Sequence, residues 1–194
     1  TKVTLPDTIR VIGDAAFQVS WGAPKITELN LPKGLEEVGA YAFYGIQVDF
    51  KLPSSLKRIG ESAFAGTGIT EVHFGPNIEY VEKRAFTNCQ KLTKAEVIPQ
   101  TQDTEGLYLN SFNLAEVTVA DGVERLPENC FFDCFALQSI VLPDSVKELG
   151  KSVVYGCDFS SLDFVDTGSI TALGEFCLAG NDNLDDIVIT DSVT

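Results

Sequence analysis

The chain has 194 residues, 44 % of them hydrophobic and 22 % charged, which is enough apolar material to bury a core within one domain. Lys and Arg number 14 against 28 Asp and Glu, and the resulting net charge of −14 repels phosphate backbones and anionic lipid, excluding nucleic acid as a natural partner. No apolar run approaches the ~20 residues needed to cross a bilayer, and no signal-peptide pattern opens the chain.

In chain order, "KVTLP" reads as a strand and is followed by the phrase "LPDTIRVIGDAAF" (Leu5–Phe17). An insertion, "QVSWGAPK" (Gln18–Lys25), carries the single Trp, Trp21. The phrase then returns as "LPKGLEEVGAYAF" (Leu31–Phe43), as "LPSSLKRIGESAF" (Leu52–Phe64) and, more loosely, as "LPDSVKELGKSVV" (Leu142–Val154). Its closing residue recurs as Phe17, Phe43, Phe64, Phe86, Tyr108, Phe131, Val154 and Leu178, at spacings of 26, 21, 22, 22, 23, 23 and 24 residues. A period near 23 falls within the ~20–29 residues of leucine-rich repeats, and the anchors predict eight coils with a ninth begun at Ile187.

Between phrases lies the pattern L-x-x-L-x-L, as in Ile69/Val72/Phe74, Leu114/Val117/Val119 and Leu137/Ile140/Leu142. Its last apolar residues alternate with polar ones, which predicts a strand with one face buried, stacked on its neighbours at ~4.8 Å in a parallel sheet. Pro32, Pro53 and Pro143 lack an N–H and end each strand. An extended segment and a one-turn helix such as "ESAF" are expected to carry the chain back. Gly13, Gly39, Gly60, Gly150 and Gly174 stand four residues before the anchor. Pro127 and Glu82 share that slot, and Pro cannot take positive φ, so tight packing rather than a left-handed backbone is expected there. The fifth repeat aligns poorly between Pro99 and Tyr108. Both ends stop in mid-repeat without a polar capping unit, and Met is absent, so residues 1–194 are expected to form a single solenoid within a longer array.

The five Cys occupy repeat columns rather than a metal spacing. Cys89, Cys134 and Cys157 stand three after the anchor, and Cys130 and Cys177 one before it. They read as small buried hydrophobes. His73 is the only His; it lies in "TEVHF" at an outward strand position and has no nucleophile placed for it, so no catalytic residue and no metal ligand is assigned. Where the copies differ is more informative. The slot before the inner strand residue reads Glu28, Asp49, Glu71, Lys94, Glu116, Ser139, Asp163 and Asp186, a largely acidic outward stripe. Like charges at that spacing repel and need compensation, and the stripe would suit a basic partner or weakly held Ca²⁺, or serve only to keep the face solvated. The next outward slot reads Asn30, Lys51, His73, Glu96, Thr118, Val141, Val165 and Val188, turning apolar toward the C-terminus. Val141 and Val165 there, with Trp21 in the insertion, are candidate contacts.

The recurring "LPxSLxxIGxxAFxGC", followed by "xLTxVxLP", resembles the BspA-like leucine-rich repeat family across nearly the whole chain. The resemblance implies a right-handed α/β solenoid with a parallel strand sheet on one face and short helical turns or loops opposite. It further implies a non-enzymatic protein-binding or adhesion module, without cofactor, on a secreted or surface-anchored protein, with a host matrix or cell-surface protein as partner. A structural spacer presenting another domain, or a carbohydrate-binding module, is the alternative; the latter would want clustered exposed aromatics.

Overall fold

The computed structural model describes residues 1–19, 25–101, 103–161, 169–184, 189 and 191–193. The chain winds through about seven turns, joined by parallel strand pairs. Two ladders run along the winding axis. The L-x-L positions form the first: Lys2–Val3 pairs with Glu28–Leu29 and Lys94–Val97 with Glu116–Val119, and single bridges join Glu71 to Lys94 and Thr118 to Val141. The residues just before the glycine slot form the second. It joins Val11–Ile12, Glu37–Val38, Arg58–Ile59 and Tyr80–Val81 in one run, and Arg125–Leu126, Glu148–Leu149 and Ala172–Leu173 in another. The segment expected to be merely extended is therefore the more continuous sheet.

A third set of bonds replaces the one-turn helix expected at "ESAF". Ser62 has φ 52°, which an α-helix cannot contain, and the same left-handed conformation recurs two before the anchor at Ala15, Tyr41, Arg84, Asn129, Ser152 and Phe176. It returns two after the anchor at Gly45, Gly66, Asn88, Asn110, Asp133, Gly156 and Gly180, residue types that tolerate it. Alternate N–H groups of the turn consequently point along the axis. Tyr41, Phe43 and Gly45, for example, donate to the carbonyls of Glu61, Ala63 and Ala65, each at 2.8 Å. The same three donors, two before the anchor, at it and two after it, serve every junction from the Phe17 coil to the Leu178 coil, with N···O distances of 2.8–3.2 Å. Left-handed residues with a Cβ cost ~1–2 kcal/mol each, and the bonds to the next coil hold them there.

The anchors meet as rings. Centroids lie 5.4 Å apart along Phe17, Phe43, Phe64 and Phe86, then 6.0 Å to Tyr108 and 5.9 Å to Phe131, all stacked. Stacking keeps the rings parallel while the coils advance by one strand spacing. The fifth repeat stays in register: its Tyr108 hydroxyl donates to the Glu96 carbonyl at 2.5 Å, and a short 3₁₀ segment at Pro99–Thr101 absorbs its irregular length. Thr104 fills the glycine slot, and its Oγ1 donates to the Val81 carbonyl at 2.9 Å. In neighbouring coils a backbone N–H does that work, as from Gly60 to Val38 at 2.8 Å.

Packing explains the glycine column. A Cβ on Gly60 would lie 2.6 Å from the Ala40 nitrogen, and one on Gly174 2.5 Å from the Lys151 nitrogen. Gly13, which has no preceding coil against it, would meet nothing within 4 Å. The cysteine column has a second role besides filling space. Three residues after the anchor, Cys89, Ser111, Cys134 and Cys157 direct Sγ or Oγ to the anchor carbonyl one coil back: Phe64 at 3.3 Å, Phe86 at 3.3 Å, Tyr108 at 3.4 Å and Phe131 at 3.1 Å. Asn181 continues the series to the Val154 carbonyl at 3.0 Å. From Cys89 onward the slot holds small donors facing the buried anchor carbonyl of the coil before, whereas Ile46 brings no donor and Thr67 Oγ1 donates to Phe64 of its own coil at 2.8 Å.

Candidate functional site: the strand face

Outward positions of the first ladder carry the residues singled out by sequence. Glu71, His73 and Glu116 are brought together with Lys94, Glu96 and Thr118 along a shallow groove of about 230 Å³, floored by Val72 and Ala95. His73 projects into solvent, its side chain 81 % exposed, and its Nδ1 lies 2.5 Å from Glu96 Oε1. The second Glu96 oxygen accepts the Phe74 N–H at 2.9 Å, so this carboxylate ties side chain and backbone of the preceding coil.

The acidic stripe is not a row of unopposed charges. Lys94 pairs in register with Glu116, and its Nζ lies 2.8 Å from Glu116 Oε2. That hydrogen bond, then the Glu116 and Glu71 charges, raise the Lys94 pKa. Lys2 meets Glu28 at 2.7 Å across the first strand pair. Asp49 accepts the Thr70 N–H at 3.1 Å and the Thr70 hydroxyl at 3.0 Å, which connects two coils where no strand pairing is formed. Glu71 is bridged to Lys94 on one side and follows Asp49 of the same slot on the other. Val141 is 84 % exposed at the end of the described strand face. Trp21, Asp163, Val165, Val188 and Asp186 lie outside the described residues.

The groove thus offers fixed carboxylates, one Lys and one imidazole, which suits charge pairing and hydrogen bonding. No thiol reaches it: all five Cys are unpaired and buried, and burial pushes Cys89 up to about 11 and Cys157 up to about 12. Sequence reasoning passed over a second groove, of about 370 Å³, along the other ladder. Asp14, Glu37, Arg58, Tyr80 and Glu82 line it, and the Arg58 guanidinium sits 5.9 Å from the Tyr80 ring centre. Its signal was present in the variable residue two before the glycine slot: Val11, Glu37, Arg58 and Tyr80. No helix is long and apolar enough to cross a membrane among the described residues.

Solved bacterial proteins share this architecture. A leucine-rich repeat protein of Bacteroides ovatus superposes with a TM-score of 0.64 at 24 % identity, over 94 % of this chain and 53 % of that one. The T. pallidum leucine rich repeat protein gives 0.66 at 25 % identity, over 81 % and 78 %. The pneumococcal vaccine antigen PcpA gives 0.67 at 21 % identity, over 99 % and 51 %. The chain spans about half the length of the Bacteroides and pneumococcal proteins. No curated protein matches it in sequence. The BspA type leucine rich repeat region, in six copies, matches residues 1–105 and 101–194, and with those two matches covering its length the chain belongs to that family.

Proposed function

We propose that the chain is a non-enzymatic protein-binding and adhesion module of a secreted or surface-anchored protein. Its strand face makes the contact, around Glu71, His73, Glu116 and Val141, with Glu28 and Asp49 toward the N-terminal side; Asp163, Val165, Asp186 and the Trp21 loop belong to the same proposal. The observation that carries it is the groove at Glu71, His73 and Glu116, where outward residues differ from coil to coil while the inward ones repeat. The similar solved proteins add support, one being described as a vaccine antigen and another, from Faecalibacterium prausnitzii, as a leucine rich cell surface protein. In this reading the partner is a host matrix or cell-surface protein, and the solenoid is right-handed, as parallel strand crossovers are. In this reading residues 1–194 form a single solenoid of about eight coils. The test is binding to a panel of immobilised extracellular-matrix proteins. Glu71→Lys with Glu116→Lys, and separately Val141→Lys, should weaken any specific binding by about tenfold, because central contacts carry most interface energy. Unchanged binding by both variants, with the fold intact by circular dichroism, would remove the strand face from consideration.

A further inference from the structure

The turn side of the later coils carries aromatic rings that the core does not use. Phe112 and Phe135 both stand four after their anchors, and their rings stack at 5.0 Å while remaining 39 % and 50 % exposed. One residue after the anchors, Phe132 and Tyr155 stack at 4.8 Å and are half-buried. Core rings of the same turns face inward, so these pairs present ring faces and edges to solvent in consecutive coils.

Asp133 lies in the turn between Phe132 and Phe135. Its left-handed backbone, φ 55°, is fixed by its N–H bond to the Tyr155 carbonyl at 2.8 Å. The carboxylate lies against the bare backbone of Gly156, where a Cβ would come within 2.3 Å of Oδ1. Among the described residues no hydrogen bond or ion pair reaches this carboxylate, and partial burial raises its pKa. Two carboxylates three before their anchors are paired instead: Arg84 meets Glu105 at 2.8 Å and Lys151 meets Glu175 at 2.7 Å. Charge sharpens the contrast. Every Lys and Arg lies at or before Lys151, whereas residues 152–194 hold eight acids (Asp158, Asp163, Asp166, Glu175, Asp182, Asp185, Asp186 and Asp191) and no base.

From the two aromatic stacks, the unpaired carboxylate in the turn that bears Phe132 and Phe135, and the base-free stretch that follows in sequence, we infer that this turn side docks an arginine of a basic peptide segment. The planar guanidinium stacks on an exposed ring, and Asp133 accepts its N–H groups. Arginine fits better than lysine because its flat, weakly hydrated cation can lie on an aromatic face and still offer parallel donors to a carboxylate. The surface is separate from the strand face, and its failure would leave that proposal standing.

The experiment is fluorescence anisotropy with a labelled hexa-arginine peptide at physiological salt, repeated with hexa-lysine. Saturable one-to-one binding is expected, several-fold tighter for arginine. Asp133→Asn keeps a residue that tolerates the left-handed turn, and Phe112→Ala with Phe135→Ala leaves the charge unchanged; each should weaken binding by about tenfold. Asp121→Asn, the same charge change at an exposed site elsewhere, should alter it less than about twofold. The inference is overturned by equal losses for Asp121→Asn and Asp133→Asn, by indifference to the phenylalanine pair, by hexa-lysine binding as tightly as hexa-arginine, or by absence of saturable binding. A neutral oligosaccharide that binds the patch while hexa-arginine does not would overturn it too.

Discussion

The column three after the anchor allows a clean separation of two reasons for a buried Cys. At Cys157 the Sγ lies 3.1 Å from the Phe131 carbonyl of the preceding coil, and the residue is 4 % exposed. Cys157→Ala removes a sulfur worth about 1 kcal/mol of burial. It also removes one of two bonds to that carbonyl, which keeps the Cys134 N–H at 3.1 Å, a loss of about 1 kcal/mol at most for a weak S–H donor. About 2 kcal/mol of destabilisation is expected in total. Cys157→Ser keeps a donor and should stay within about 1 kcal/mol of the parent, as Ser111 does the same work at 3.3 Å from Phe86. Cys157→Val keeps apolar volume and loses the donor, so it should be less stable than the Ser variant. Urea unfolding measures the order through the midpoint at constant slope. A Val variant as stable as the parent, with Ser clearly lower, would show that the slot wants only a small hydrophobe and that the S–H bond contributes nothing.

Three further outcomes are accessible with the same material. Thiol reagent at pH 8 should modify native protein far more slowly than unfolded protein, because all five Cys are buried; rapid labelling of Cys134 would contradict the packing. Burial raises the folded-state pKa of Cys89 to about 11 and of Cys157 to about 12, from an ordinary 9.0, so the contribution is whole below pH 9 and is lost as pH rises through 11 to 12. Stability should therefore fall over that window, less steeply in Cys157→Ser, and an unchanged slope would refute the assignment. Finally, Gly60→Ala forces a Cβ to 2.6 Å from backbone and should cost about 2–3 kcal/mol, whereas Gly13→Ala meets nothing within 4 Å and should be neutral or stabilise by about 0.5 kcal/mol in thermal melts. Equal effects at the two positions would mean that the column is not about coil contact.

The anchors were legible because a repeated Phe at a spacing near 22 residues can only mean a repeated environment, and the rings do stack. The glycine slot was legible for a related reason: Pro127 in the same column argued against positive φ, which left close approach as the cause. The left-handed turn was harder. Its second residue shows in the sequence as Gly45, Gly66, Asn88, Asn110, Asp133, Gly156 and Gly180, yet its first is Tyr41, Arg84 or Phe176, types that ordinarily avoid this region. Bonds between coils impose that conformation, and a bond to a residue 20 or more positions away leaves no local trace. The acidic slot was legible as a column, Lys94 included, and the compensation expected for its like charges is visible in space: Lys94 is bridged to Glu71 and pairs with Glu116 at 2.8 Å.

With the proposed contacts, stability and recognition fall to different residues of each coil. Three turn bonds recur at every junction from the Phe17 coil to the Leu178 coil, stacked anchors join the coils up to Phe131, buried donors those from Phe64 on, and each coil's contribution passes only to its neighbours. Against that background an exposed pair such as Lys94 with Glu116 contributes ~0–1 kcal/mol, and replacing it leaves the winding in place. Apart from Asp49 and Glu96, which bond to the neighbouring coil, outward residues of the strand face can differ without unwinding it, so charges there can change while every inward column stays the same. It also follows that a variant at Glu71 or Asp133 which loses binding reports on contact, whereas one at Phe64 or Gly60 reports first on the coil itself.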